Sequence, residues 1–211
     1  YYTRLMELSK SFAIIGAGNG GQAFAAYLSL KGHSVKIYDV SQKTVDILQE
    51  KGGVLLEGNS DVVGFGKIML ASTDLKEVIH GADIVMVVLP SIYHKDMAEK
   101  MAPYLEDGQY VLLNPVAGLG IVEVQNALKA KGCTAKIHLG CTSTLLFACR
   151  AVEVGRVAVS GQKESFSAAA LPASENQIFA DVFADIFPQF DFAYDAIRVT
   201  LDNLNALVHP G

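Results

Sequence analysis

The chain has 211 residues, of which 51% are hydrophobic and 18% charged, a balance that supports a sizeable buried core and excludes a disordered chain. Its formal net charge of −5 leaves no electrostatic footprint for nucleic acid or an anionic membrane. No apolar run approaches the ~20 residues of a membrane span, and no signal-peptide core precedes the first strand.

Phe12-Ala13-Ile14-Ile15 is too short an apolar run for a helix and suits a strand buried on both faces. Gly16-Ala17-Gly18-Asn19-Gly20-Gly21 follows at once and contains G-x-G-x-x-G. Gln22 to Leu30 reads as a helix closed by Gly32, and Val35 to Tyr38 as a second strand with Asp39 at its end. Each part has a task in holding a dinucleotide. Gly16 allows the tight turn, Gly18 lets the backbone approach a pyrophosphate, and Gly21 lets the helix pack close to the strand. Asn19 and Gly20 belong to the same phosphate-facing turn. The helix N-terminus offers N–H groups and a positive dipole end, and Asp39 can accept hydrogen bonds from a ribose diol. The alternative is a tight βα turn of another doubly wound fold, which would not need the acid.

Ser41 to Lys51 reads as a second helix ended by Gly52-Gly53, and residues 54–58 and 64–69 as a glycine-bordered hairpin. Thr73-Asp74 can cap a short helix, Leu75 to His80. Ile84 to Leu89 is the most hydrophobic run and predicts a central parallel strand, which Pro90 ends at the sheet edge where ligands bind in open α/β folds. A helix from about Tyr93 to Leu105 follows, with His94 read as a surface residue at its N-terminus. Tyr110 to Leu113 is a strand ending in Asn114-Pro115. A second glycine-containing loop then opens a helix from about Ile121 to Lys131, and Lys136 to Leu139 is the next strand. These alternations predict an α/β fold with a doubly wound, mostly parallel sheet.

Beyond Arg150 the pattern changes. Val157 to Val159 and Ser165 to Ala168 flank Gly161-Gln162 and predict an antiparallel hairpin at the sheet margin. Ser174 to Gln177 reads as a capping box before a helix whose Ile178, Phe179, Val182, Phe183 and Ile186 recur with helical period. A short strand is expected near Phe190 to Phe192, and a last helix from near Val199 or Thr200. The expected organisation is a dinucleotide-binding domain over 11–198, and over 199–211 a first helix leading to a helical substrate domain outside the chain. Cys133, Cys141 and Cys149 form no C-x-x-C pair and read as free thiols of a reducing cytoplasm; no metal site is expected. His33, His80 and His138 have no chemical constellation around them in sequence.

GAGNGGQAFAAYLSLKGHSVKIYD, ADIVMVVLPSIYH, LLNPVAGLG, TSTLLFACR, AAALPA and NLNALVHP, in this order, resemble the octopine/nopaline (opine) dehydrogenases over nearly the whole chain from Ser11. The resemblance implies an N-terminal nucleotide-binding domain of an enzyme that reductively condenses an amino acid with an α-keto acid, using NAD(H), with NADP(H) as the alternative. It implies that Gly16, Gly18 and Gly21 hold the pyrophosphate, that Asp39 meets the ribose, and that Leu89 and Pro90 lie beside the cofactor. In N-x-N-x-x-x-H-P it puts Asn205 and His209 at the substrate, with His209 as the catalytic histidine. It further implies a C-terminal helical domain of the same protein, carrying an acidic partner for that histidine, and leaves a homodimer open. The loop Val116-Ala117-Gly118 departs from the more polar sequence expected there. Glycerol-3-phosphate dehydrogenases and ketopantoate reductases are more distant cousins and the rival enzyme reading; a dinucleotide-sensing module without turnover is the non-enzymatic one.

The residues themselves allow the histidine's role. Asn205 and His209 are four apart, so on a helix they share a face, about 5–6 Å between Cβ atoms. Reductive condensation needs an acid/base group beside the carbonyl or imine carbon, and histidine titrates in the right range. Spacing alone favours the simpler role, in which His209, before Pro210, ends a helix.

Overall fold

The computed structural model describes residues 9–192 and 194–201. In chain order the elements are β1 (Ser11–Ile15), α1 (Asn19–Leu30), β2 (Ser34–Tyr38), α2 (Gln42–Lys51), β3 (Gly53–Gly58), β4 (Gly64–Lys67), β5 (Leu70–Ser72), α3 (Leu75–Ile79) and β6 (Ile84–Val87). They continue with α4 (His94–Met101), β7 (Tyr110–Leu113), α5 (Gly120–Ala130), β8 (His138–Thr142), β9 (Phe147–Glu153), β10 (Arg156–Gln162), β11 (Phe166–Leu171), α6 (Asn176–Phe183), β12 (Phe190–Asp191) and α7 (Ala196–Leu201). The described residues fall into two compact units, one of residues up to Met86 with Phe147–Gln162, the other of Val87–Leu146 with the residues from Lys163 on.

In the first unit β1, β2 and β5 run parallel, Ser11 opposite Ser34 and Lys36 opposite Leu70. β5 has no counterpart among the expected elements. At three residues it is too short to carry a period, and pairing with β2 alone makes it a strand. A second sheet has the order β4-β3-β10-β9, two antiparallel hairpins joined by the parallel pair β3/β10. Helix α1 packs against β1 and β2 and also against β3, β4, β9 and β10. That is why every residue from Gly20 to Leu28 is buried and why its sequence is apolar all round rather than striped. At Gly66 of β4 a Cβ would run into the Ala26 backbone of α1, so strand and helix meet backbone to backbone.

The late antiparallel hairpin is present, but its strands are β9 and β10, turning at Val154-Gly155 with Gly155 at φ 87°, rather than 157–159 with 165–168. Phe147, Val157 and Val159 are buried, whereas Ala148, Arg150 and Arg156 are exposed. The apolar contribution of β9 rests chiefly on Phe147, which hides the strand in a polar-looking stretch.

The second unit has the strand order β12-β11-β8-β7, with β7/β8 and β11/β12 parallel and β8/β11 antiparallel. Ala168, Ala169 and Ala170 of β11 are fully buried, so the run expected as a hairpin arm is an interior strand. Phe179, Phe183, Phe187 and Phe190 stack in sequence as core, as the helical period predicts. The capping box does not form: Glu175 precedes α6 without a side-chain cap. Asn176 instead accepts from Ala170 N at 2.7 Å and donates to the Tyr194 carbonyl at 2.8 Å, tying the helix start to β11. The last helix starts at Ala196, ahead of the expected 199. All three cysteines are free thiols; Cys141 is buried and Cys133 and Cys149 are half-buried. Among the described residues no helix is long and apolar enough to cross a membrane.

The contact at Gly66 allows no side chain. Gly66→Val is expected to lower stability by about 1–3 kcal/mol, the usual cost of overpacking, read as a shift of the denaturant midpoint at unchanged slope.

Candidate functional site

β1 ends in Ile15 and the chain turns at Gly16, whose φ of 112° suits glycine, while its N–H donates to the Tyr38 carbonyl at 2.8 Å. A Cβ at Gly21 would run into the Gly16 carbonyl oxygen, so α1 starts in contact with the turn. Gly18 is the N-cap at φ −76°, exposed, with open space where a Cβ would stand. Among the described residues no side chain caps this helix, and no acid stands in its first turn. The first intrahelical bond is Gln22 N–H to the Gly18 carbonyl at 3.1 Å. The first turn thus presents backbone N–H groups and the positive dipole end to the open side, which suits the two charged groups of a pyrophosphate.

Asp39, at the end of β2, accepts from Ala17 N through Oδ2 and from Ser41 N through Oδ1, both at 2.9 Å. Two backbone N–H groups therefore fix the carboxylate beside the glycine turn. Each oxygen keeps acceptor capacity for a hydroxyl, which fits a ribose diol. Asn19 lies in the exposed turn, yet its Oδ1 accepts from Ala151 N at 2.9 Å, so this side chain also anchors β9. Gly20 and Gly21 are buried in the first turn.

The residue that sequence reasoning missed is Gln22. It is 2% exposed, donates through Nε2 to the Ala17 carbonyl at 2.7 Å and accepts from Gly155 N through Oε1 at 2.8 Å. A polar residue in the first turn, at the start of the apolar run of α1, was the available signal; its partner lies 133 residues away.

Leu89 and Pro90 belong to the second unit, Leu89 half-buried and Pro90 exposed. His94 is not the surface residue expected at the start of this helix: it is 1% exposed, and its Nε2 lies 2.9 Å from the Leu89 carbonyl. A carbonyl only accepts, so Nε2 carries the proton and donates. Nδ1 is then a bare lone pair, buried with no partner among the described residues. Burial lowers the His94 pKa below its usual 6.5, against the opposing pull of the Leu89 hydrogen bond and the Glu123 carboxylate. His138 likewise has surroundings its sequence context does not show: it stacks on Tyr110 and its Nδ1 is 3.1 Å from Glu175 Oε2. Asn114, at the end of β7, is fully buried and takes the Thr142 hydroxyl on Oδ1 at 2.7 Å. Asn205 and His209 lie outside the described residues. No group of three or more His, Cys, Asp or Glu that could hold a metal ion occurs among the described residues.

Comparison with known proteins places this geometry among dehydrogenases. Residues 11–131 match the family described as the NAD-dependent glycerol-3-phosphate dehydrogenase N-terminus. The opine dehydrogenase of Arthrobacter sp. (strain 1C) is 34% identical over 202 residues, covering 96% of this chain and 56% of that protein. An octopine dehydrogenase solved with NADH and L-arginine superposes with a TM-score of 0.79 at 19% identity, over 94% of this chain and 52% of that one. A yersinopine dehydrogenase with NADP+ bound gives 0.75 at 16%, over 97% and 52%. The chain thus spans about half the length of these relatives, and the fold of the solved ones, α/β with a mostly parallel central sheet, is the fold seen here.

Two outcomes follow from the geometry. Gly18→Val is expected to abolish dinucleotide binding with stability retained, because the branch enters open space and φ is ordinary; cofactor fluorescence and thermal melts check both halves. For His94 the folded pKa lies below the unfolded value, so below pH 6.5 the unfolded chain binds more protons and stability falls with pH. His94→Gln, a neutral donor to the same carbonyl, is expected to flatten the loss between about pH 7 and pH 5. The contribution of His33, also lowered, chiefly by burial and then by Lys31 and Lys10, would remain.

Proposed function

The chain belongs to the family of NAD-dependent glycerol-3-phosphate dehydrogenase N-terminal domains, and from that premise we propose that it is the cofactor-binding half of an opine-type dehydrogenase, condensing an amino acid with an α-keto acid. The observation that carries the opine reading is the extent of the resemblance. The opine dehydrogenase is 34% identical across 96% of the chain, against 26% across 84% for a glycerol-3-phosphate dehydrogenase. The family match favours a second reading, reduction of a phosphate ester or keto acid of the glycerol-3-phosphate or ketopantoate kind.

The cofactor is NAD(H). Bound beside the substrate, it supplies the hydride. Gly16, Gly18, Asn19, Gly20 and Gly21 are proposed to hold the pyrophosphate, with backbone N–H groups and the helix dipole offsetting its charge. Asp39 takes the ribose hydroxyls and repels a 2′-phosphate, which favours NAD over NADP. Leu89 and Pro90 make the apolar contacts beside the cofactor. His209 gives or takes the proton at the reacting carbon or nitrogen, and Asn205 fixes a substrate carboxylate or polarises a carbonyl.

The rest of the site belongs to a C-terminal helical domain, which supplies the acid that orients His209. The relatives' greater length supports this, as do the exposed Ile92 and Leu119 on the loops after β6 and β7. Neighbouring enzymes were solved with L-arginine or pyruvate, which supports the substrate classes. The free thiols fit a reducing, cytoplasmic setting. A homodimer remains part of the proposal to be tested by sedimentation.

The chain alone is expected to bind NADH more tightly than NADPH without opine synthesis, since closure of a dry site needs the second wall. Tighter NADPH would remove the role of Asp39. In the full-length protein, NADH oxidation across amino acids with pyruvate or 2-oxoglutarate is expected to exceed that with dihydroxyacetone phosphate or ketopantoate. His209→Ala is expected to lower kcat by ~10²–10⁴, and a variant as fast as the parent would take the histidine out of the mechanism.

A further inference from the structure

We infer that Gln22 is a positioning residue for pyrophosphate: by holding the Ala17 carbonyl inward it turns the Gly18 N–H outward, and the hairpin turn at Gly155 holds Gln22 in that orientation. The inference rests on the cofactor reading of the glycine turn and assigns its conformation to a residue outside the motif.

An amide's oxygen and nitrogen are interchangeable in shape, but here both neighbours are backbone groups with fixed roles. Gly155 N–H can only donate, so the atom 2.8 Å from it is Oε1. The Ala17 carbonyl can only accept, so the atom 2.7 Å from it is the Nε2 amide. The side chain is 2% exposed, so water offers no substitute for either bond.

The peptide joining Ala17 to Gly18 is trans, since among the described residues only the bonds before Pro115 and Pro172 are cis. In a trans peptide C=O and N–H point in opposite directions. Pinning the Ala17 carbonyl onto Gln22 therefore sends the Gly18 N–H the other way, to the exposed side of the turn. The preceding peptide is pinned as well, because Ala17 N–H donates to Asp39 Oδ2 at 2.9 Å. Without Gln22, the Ala17–Gly18 peptide could rotate and present a carbonyl where phosphate oxygens would lie, replacing attraction with repulsion.

The hairpin gives Gln22 its orientation. The turn Val154-Gly155 is held from a second side by Lys51, whose Nζ donates to the Val154 carbonyl at 2.7 Å. Gly155 N–H is thereby fixed against Oε1, and the glycine turn is set through one side chain by a segment more than 130 residues downstream.

Gln22→Glu and Gln22→Met separate the parts. A carboxylate at position 22 still accepts from Gly155 N–H, keeping the hairpin in place, but cannot donate to the Ala17 carbonyl; methionine removes both bonds. The test measures NADH and ADP affinity, adenosine binding by saturation-transfer NMR, and thermal midpoints, for the parent chain and both variants. NADH and ADP are expected to weaken about tenfold or more, with adenosine, which has no phosphate, unchanged. A folded variant that binds NADH within twofold of the parent would overturn the inference. So would a parent Gly18 amide resonance that does not move at saturating ADP, a measurement that needs no variant. A parent chain that binds no NADH would instead overturn the proposed function, and this inference with it.

Discussion

The close approach of Gly21 to the Gly16 carbonyl is the constraint on which the rest of the first unit depends. No side chain fits there, so α1 begins directly against the end of β1. The helix then runs with its apolar surface covered on all sides, by β1 and β2 and by the four-stranded sheet. An all-round buried helix cannot hold charges, and between Asn19 and Leu30 it holds none. Two things follow together: the helix N-terminus lies at the carboxyl edge of the parallel strands, and its dipole there is not offset by any acid of its own.

The polar groups near this edge are spent on the backbone. Asp39 receives two N–H groups and Gln22 joins a carbonyl to an N–H. The Gln22 bonds are neutral, each worth about 1 kcal/mol net, but losing one partner of such a buried pair costs about 1–3 kcal/mol, and the bonds to the Asp39 carboxylate are charge-assisted. The glycine turn is therefore rigid although its glycines are not, and a rigid cradle binds with less ordering cost. The same logic applies in the second unit, where His94 holds the Leu89 carbonyl while its buried Nδ1 has no partner among the described residues.

Legibility in the sequence followed the range of the interactions. β1, the glycine turn, β2, β6 and β7 stood in the sequence because buried parallel strands are short apolar runs bounded by glycine or proline. The cap of α2 by Ser41 and of α3 by Asp74 were local and could be expected. The capping box before α6 was equally local in pattern, yet Asn176 was drawn to β11 and to Tyr194, and the long-range bonds won. β5 became a strand through a partner remote in sequence, and β9, although it pairs with its hairpin neighbour β10, is placed against α1; neither carries enough apolar period of its own to declare it.

By itself the sequence determined the α/β class, the dinucleotide motif with Asp39 at its proper spacing, and the likeness to opine dehydrogenases. Those rest on neighbours within about thirty residues, or on residue order alone. Only the tertiary structure decided that residues 147–162 return to cover α1, that Gln22 locks the glycine turn, and that His94 is interior. Each depends on a hydrogen bond or a burial whose other side is set by folding: Gly155 for Gln22, Ala151 for Asn19, and the packing of α4 on α5 for His94. A pattern along the chain records which face a residue wants to bury, but not which distant backbone group will meet it there.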